Sequence, residues 1–190
     1  MTFPLTGEPL ALDLLNTVTA EGDLVAAPAD LARWLAEQAG RLTPVAEPGA
    51  AEVAAVRAVR EAVRAALAAV RDGERPPREA LRALNEALAA APARLELAWS
   101  AEAGLTAAPQ RAAAPARRLA AELAEAVAEF LTDPRVTSVR ACEAEDCVLM
   151  FLPAHPRRRW CVAAVCGNRA RVARYYARHK ADTAQEAQEV

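Results

Sequence analysis

Apolar residues recur along this chain in two rhythms. Between Gly49 and Asp72, Val53, Val56, Val59 or Arg60, Val63, Leu67 and Val70 fall three or four apart, which lines one face of an α-helix, and Gly73 stops it. PPREALRALNEALAAA follows after Pro76 and Pro77 with Leu81, Leu84 and Leu88 at the same spacing, so two antiparallel helices joined by a short connection are expected. Residues 115–131 form another helix with Leu119, Leu123, Val127 and Phe130 or Leu131 inward, ended by Asp133 and Pro134. PADLARWLAEQAG reads as a shorter helix with Leu31, Trp34 and Leu35 on one face and Gly40 beyond its end. The second rhythm is alternation. RLELAWS (94–100) sets Leu95, Leu97 and Trp99 between polar neighbours and, with GLTAAPQ (104–110), predicts a small β-hairpin. GEPLALDLLNTV near the start is too short for periodicity to choose between a helix ending near Asn16 and a buried strand.

Composition narrows the class. Over half of the residues are apolar but only 4% are aromatic, so alanine and leucine carry the core and favour helices. The formal net charge of −2 conceals an asymmetry: residues 135–180 carry ten basic and three acidic side chains, a net +7, leaving thirteen basic and twenty-two acidic, a net −9, elsewhere. A cationic segment on an anionic body points to a module that meets an anion, nucleic acid first among them. The first twenty residues lack the basic start of a secretory signal and no run of eighteen apolar residues occurs, so no membrane span is expected and the reducing cytoplasm is the default compartment.

All four cysteines fall within twenty-five residues in the pattern C-x4-C-x13-C-x4-C: Cys142, Cys147, Cys161 and Cys166. Two short loops, each offering two thiolates, complete a tetrahedron around one ion, and zinc is the usual occupant of a four-thiolate site of this size; iron and redox-active thiols are the alternatives. CVLMFLP (147–153) and RRRWC (157–161) read as two strands around a proline-flanked turn, and Cys166 opens a helix to about Lys180. Knuckle, hairpin and a helix whose first turn gives the last ligand describe a treble-clef-like zinc module. His155 in the turn PAHP is expected to be solvated rather than a ligand.

WC-x4-CGNR preceded by C-x4-C resembles the CGNR zinc finger, and LALDLLNT (10–17) followed by a DLARWL helix resembles the ABATE domain that precedes that finger. The resemblance spans essentially the whole chain, with the C-terminal motif the more specific. It implies a member of a bacterial family regarded as stress-induced transcription regulators: a zinc-dependent nucleic-acid-binding module behind an α-rich domain. At the motif positions Trp160, Cys161, Cys166, Gly167, Asn168 and Arg169 the chain shows no departure.

At 100° per residue Arg171, Arg174 and Arg178 share one stripe of the last helix, while Arg169 lies opposite with Ala173, Tyr176 and Lys180. Arg169 and Asn168 have two readings, a brace on the cysteine knuckle or a contact to nucleic acid, and the angle favours the brace. The stripe and the hairpin's Arg157 and Arg159, which share a face while Arg158 points away, are the expected phosphate contacts, because the guanidinium fork matches phosphate oxygens. The competing reading sets these arginines against the acidic body. Phe151, Trp160, Tyr175 and Tyr176, half of the eight aromatic residues, are expected to cover the zinc site.

Asp13, Asn16 and Thr17 put polar groups into an apolar stretch, where they need partners. They either fix the first segment to its surroundings or form a ligand-sensing site; the structural role is favoured. Among function classes catalysis is disfavoured, since no phosphate loop or nucleophile elbow occurs and four thiolates leave zinc no open position. The sequence therefore predicts an α+β, mostly helical protein. An α-rich N-terminal domain with a small β-hairpin occupies 1–133, a treble-clef-like zinc module of β-hairpin and helix 134–182, and a frayed tail 183–190. The expected function is a zinc-binding transcription regulator, its finger on DNA, its N-terminal domain sensing a small-molecule or protein signal or joining two chains in a homodimer. The alternatives are a protein-interaction module with structural zinc and a thiol redox sensor.

Overall fold

The computed structural model describes residues 3–176. Arg178, Lys180 and the tail 183–190 lie outside the described residues.

The helices form where the periodicity placed them. α1 (Leu10–Leu15) settles the ambiguous opening stretch as a helix, and all six of its residues are buried. A two-residue ribbon, β1 (Val18–Thr19) with β2 (Gly22–Asp23), leads to α2 (Pro28–Glu37). The 22-residue α3 (Ala50–Arg71) starts where Glu52 Oε2 accepts the Gly49 N–H at 2.7 Å, satisfying a donor that the helix leaves unpaired. α4 (Arg78–Ala90) returns antiparallel, β3 (Arg94–Ser100) and β4 (Gly104–Gln110) make the hairpin, and α5 (Pro115–Thr132) completes the body. Helices α3, α4 and α5 pack on one another, with α1 laid against α3 and α5. Val56, Val63 and Leu67 from α3 meet Leu119, Leu123 and Val127 from α5, and Leu12, Leu14 and Trp34 close the core from the side. Fully burying one such side chain stabilises the fold by about 1.5–3 kcal/mol. Leu84 is inward as expected, whereas Leu81 is 37% exposed because it falls at the edge of the α4 stripe.

Beyond α5 the chain does not leave the body at once. A 3₁₀ turn (Pro134–Ser138) places Val136, and then Val139, in the same core. β5 (Arg140–Ala141) pairs antiparallel with β6 (Met150–Phe151), and a π-helical turn (Ala163–Gly167) runs on into α6, residues 168–176. The expected strand pairing of 147–153 with 157–161 is thereby corrected. Within 147–153 only Met150 and Phe151 form a strand, its partner is 140–141, and 157–161 is irregular. The reason is local: the first cysteine loop folds back so that the Cys142 N–H donates to the Leu149 carbonyl at 2.9 Å, and this closure feeds β5 straight onto β6.

A buried arginine ties the ribbon to the bundle. Arg60 on α3 is 4% exposed, and its Nη atoms donate to both Asp23 oxygens (2.8 and 2.6 Å) and to Thr17 Oγ1 (2.8 Å). Arg57 adds a contact to Asp23 at 3.1 Å. Burial pushes the Asp23 carboxyl up, but Arg60, the Val25 N–H and Arg57 together hold it down at about 2. A carboxyl depressed on folding stabilises the fold above its unfolded pKa, and that contribution is lost as pH falls toward the folded one. Acid titration of the unfolding free energy should therefore show a decline between pH 3.8 and about 2 that Asp23→Asn removes.

Candidate metal centre and its attachment to the helical body

The four sulfurs come from two loops. In the first, Cys142 leaves β5 and Cys147 follows a tight turn in which its N–H donates to the Ala144 carbonyl. Asp146 takes a left-handed φ of 61° there, a conformation that aspartate tolerates better than most residues. In the second, Cys161 precedes the π-helical turn and Cys166 lies in it, with its N–H on the Val162 carbonyl. The Cys147–Cys161, Cys161–Cys166 and Cys147–Cys166 sulfurs are 3.8, 3.5 and 3.9 Å apart, and all four lie within 4.8 Å of one another. A tetrahedral ion with metal–sulfur bonds of about 2.3 Å sets its ligands about 3.8 Å apart, close to the three separations above, so the set suits zinc. Cys142, Cys161 and Cys166 are buried and Cys147 is half-buried.

The surroundings favour thiolates unequally. Burial opposes ionisation of Cys142, but the Cys161 and Ala144 N–H groups donate to its sulfur and lower its pKa. Burial and the neighbouring sulfurs raise Cys161 far above the ordinary thiol range, and Cys147 rises for the same first reason. Four thiolates at this separation repel one another, and a divalent cation is what makes them coexist. Zinc bound by four cysteines is coordinatively closed, so what it supplies here is cross-linking.

The CGNR residues surround this centre. Trp160 lies half-buried against Gly167, where a Cβ would stand 3.4 Å from the indole ring, in van der Waals contact with it. Arg169 reaches back with Nη2 3.8 Å from Cys166 Sγ, and Asn168 Nδ2 donates to the Ala164 carbonyl at 2.7 Å. His155 is exposed in its turn and away from the metal set, accepting the Arg157 N–H at Nδ1. Phe151 is fully buried in the finger, but Tyr175 and Tyr176 are 52% and 68% exposed, which corrects the expectation that all four aromatics cover the site. On α6 the two rings stand edge to face against each other, their centroids 5.7 Å apart.

Asn16, Glu8 and Arg158 join this finger to the body. The Asn16 side chain accepts the Met150 N–H at Oδ1 and donates from Nδ2 to the Met150 carbonyl, both at 2.9 Å, so one amide satisfies the free edge of β6 as a neighbouring strand would. Next to it Glu8 accepts the Leu152 N–H at 2.9 Å and pairs with Arg158 at 2.8 Å. Arg158 runs over the Phe151 ring (4.3 Å) and donates to the Cys161 carbonyl at 2.7 Å, linking body, strand and metal loop. Glu8 and Arg158 were absent from the expected site. The alternation that turned Arg158 away from Arg157 and Arg159 was the available signal, since an inward arginine requires a buried anion. Asp13 faces the other way. It is buried, accepts the Gly7 and Glu8 N–H groups at 3.0 and 3.1 Å, and meets Arg41 at 2.6 Å, although burial still raises its pKa. Thr17 Oγ1 donates to the Leu14 carbonyl at 2.6 Å and accepts from Arg60. The three polar residues of the opening stretch thus turn toward different partners: Asp13 to Arg41, Asn16 to Met150 and Thr17 to Arg60.

Residues 8–134 match the ABATE family model, described as "Putative stress-induced transcription regulator", which covers two thirds of the chain. The chain belongs to the ABATE family. Residues 138–179 match the CGNR zinc finger, so the ABATE region and the finger follow one another with the four-cysteine zinc site in the second. Neither is an enzyme family. No curated protein matches the chain. Among the described residues no helix is long and apolar enough to cross a membrane.

Two outcomes follow for this ABATE–CGNR chain. Asn16→Ala strips both Met150 groups of their partner and should cost about 1–3 kcal/mol in urea unfolding of the zinc-loaded protein, with Asn16→Asp at least as costly at neutral pH, because it sets a buried carboxylate oxygen against the Met150 carbonyl. Chelation should release one zinc per chain and expose four reactive thiols, while circular dichroism retains most of the body's helix; a protein that folds its finger without metal would contradict the cross-linking role.

Proposed function

We propose that the chain is a cytoplasmic zinc-dependent transcription regulator whose finger holds duplex DNA through phosphate contacts, while the ABATE body carries the response to a signal. One feature supports the reading above the rest: between 168 and 176 α6 carries Arg169, Arg171 and Arg174 and no acidic residue. Some arginines of the chain are neutralised, Arg41 by Asp13, Arg60 by Asp23, Arg111 by Glu125, Arg135 by Asp133 and Arg158 by Glu8, while others on the body, such as Arg75 and Arg78, have no ion pair among the described residues. Arg157, Arg171 and Arg174 are exposed and have no ion pair among the described residues. Arg171 Nη1 donates to Asn168 Oδ1 at 2.7 Å and Arg174 Nε to the Ala170 carbonyl at 3.1 Å. Each guanidinium is thereby oriented along α6 with donors to spare. In this reading the motif asparagine positions Arg171, and Arg169 steadies the metal loop. Arg159 departs from its expected role, since Glu143 pairs with it at 2.5 Å. It reaches phosphate only if it gives up that partner, so Arg157, Arg171 and Arg174 carry the proposal, with Arg178 outside the described residues.

Phosphate contacts give affinity without base specificity and depend steeply on salt. Binding of the zinc-loaded chain to duplex DNA should weaken with salt, and Arg171→Glu and Arg174→Glu should each reduce affinity and flatten the log–log slope by about 0.9 per lost contact. Unchanged slopes in both variants would move the function to protein recognition, with zinc only structural.

A further inference from the structure

The β3–β4 hairpin has the alternation of a sheet with one face buried, yet nothing among the described residues buries that face. Register pairs Leu95 with Pro109, Leu97 with Ala107 and Trp99 with Leu105. Cross-strand partners point to the same side, so these six residues form one continuous apolar face. The other face holds Arg94, Glu96, Ser100, Thr106 and Gln110 among small residues. Leu95, Leu97, Trp99 and Leu105 are 78%, 69%, 76% and 66% exposed, in a protein that otherwise buries its leucines well. The base of the hairpin is fastened: Arg111, 5% exposed, donates to the Ala91 carbonyl and pairs with Glu125 on α5, so both ends of the hairpin are tied to the body while the strands stand clear. A solitary two-stranded hairpin is marginal in water, and a patch of this size marks a contact surface.

We propose that two copies of the chain pair through this face. The six residues carry no charge, so the face offers nothing to steer or select a charged partner, and its apolar row is complementary to itself. A two-fold axis passing near Leu97 sets Leu95 of each copy toward Trp99 of the other, the isologous contact expected of a symmetric dimer. The four large side chains leave roughly 500–600 Å² uncovered per copy, so a pair removes about 1,000–1,200 Å² from water, the lower end of what specific interfaces bury. Pro109 leaves β4 without one N–H, which discourages growth by strand addition at that edge and favours closure face to face. Such a dimer would carry two fingers, but the pairing does not rest on what those fingers bind.

The test is sedimentation equilibrium of the full zinc-loaded chain, without DNA, over a wide concentration range, alongside Leu97→Lys and Trp99→Ser. The wild type should reach twice the chain mass, and each variant should raise the dimer Kd by at least about tenfold. Both substitutions are at exposed positions, and unchanged helical circular dichroism and zinc content establish that the variants are folded. A wild type that stays monomeric throughout overturns the proposal, whatever else then covers Trp99. Variants that dimerise as tightly as the wild type overturn it equally.

Discussion

Four sulfurs held within 4.8 Å of one another are the condition on which the C-terminal part depends. Without a cation their charges repel, and burial sends Cys161 and Cys147 toward the neutral thiol. With zinc the same cluster becomes the cross-link of a segment that has little else inside it: among the described residues, those buried with the cysteines are Ala144, Leu149 and Phe151. A structural zinc site of this kind contributes about 10–16 kcal/mol, far more than three such side chains can.

That dependence explains how the finger meets the body. A metal-held segment is rigid only around its metal, so β6, two residues long, needs another partner at its open edge. Asn16 supplies it from the end of α1, and Glu8 supplies the anion for Arg158 from just before the same helix. The opening helix therefore serves as an interface element as well as core: its leucines bury themselves against α3 and α5 while its polar residues hold what surrounds it. Arg158 links the residues just before α1 to the metal loop, its guanidinium touching Glu8, Phe151 and Cys161 together.

The arginines of the core and of α6 differ in their partners. Arg41 and the buried Arg60 have carboxylates, and Arg171 and Arg174 on α6 have only amide and backbone acceptors. Amide acceptors orient a guanidinium without neutralising it, which leaves the helix cationic beside an acidic body. Charge placed this way reports on function more directly than the fold does, because a small zinc module serves many partners and only its surface distinguishes them.

Much was legible in the sequence. Periodicity placed α2 to α5 and the β3–β4 hairpin, since a long helix and an alternating strand repeat their signal many times. The spacing of Cys142, Cys147, Cys161 and Cys166 named the metal, because thiolate chemistry leaves few alternatives. Short elements escaped it. Neither the nature of α1 nor the pairing of β6 with 140–141 could be read from a handful of residues, and Tyr175 and Tyr176 looked like core until the length of α6 carried them beyond it. Only tertiary structure decided that Asn16 completes a strand 134 residues away, that Arg158 is internal while Arg157 is not, and that the hairpin's apolar face lies open. Local patterns fix which face of an element is apolar and which residues can ligate. What covers that face, and which distant carboxylate or amide meets a polar group, depends on how the elements pack.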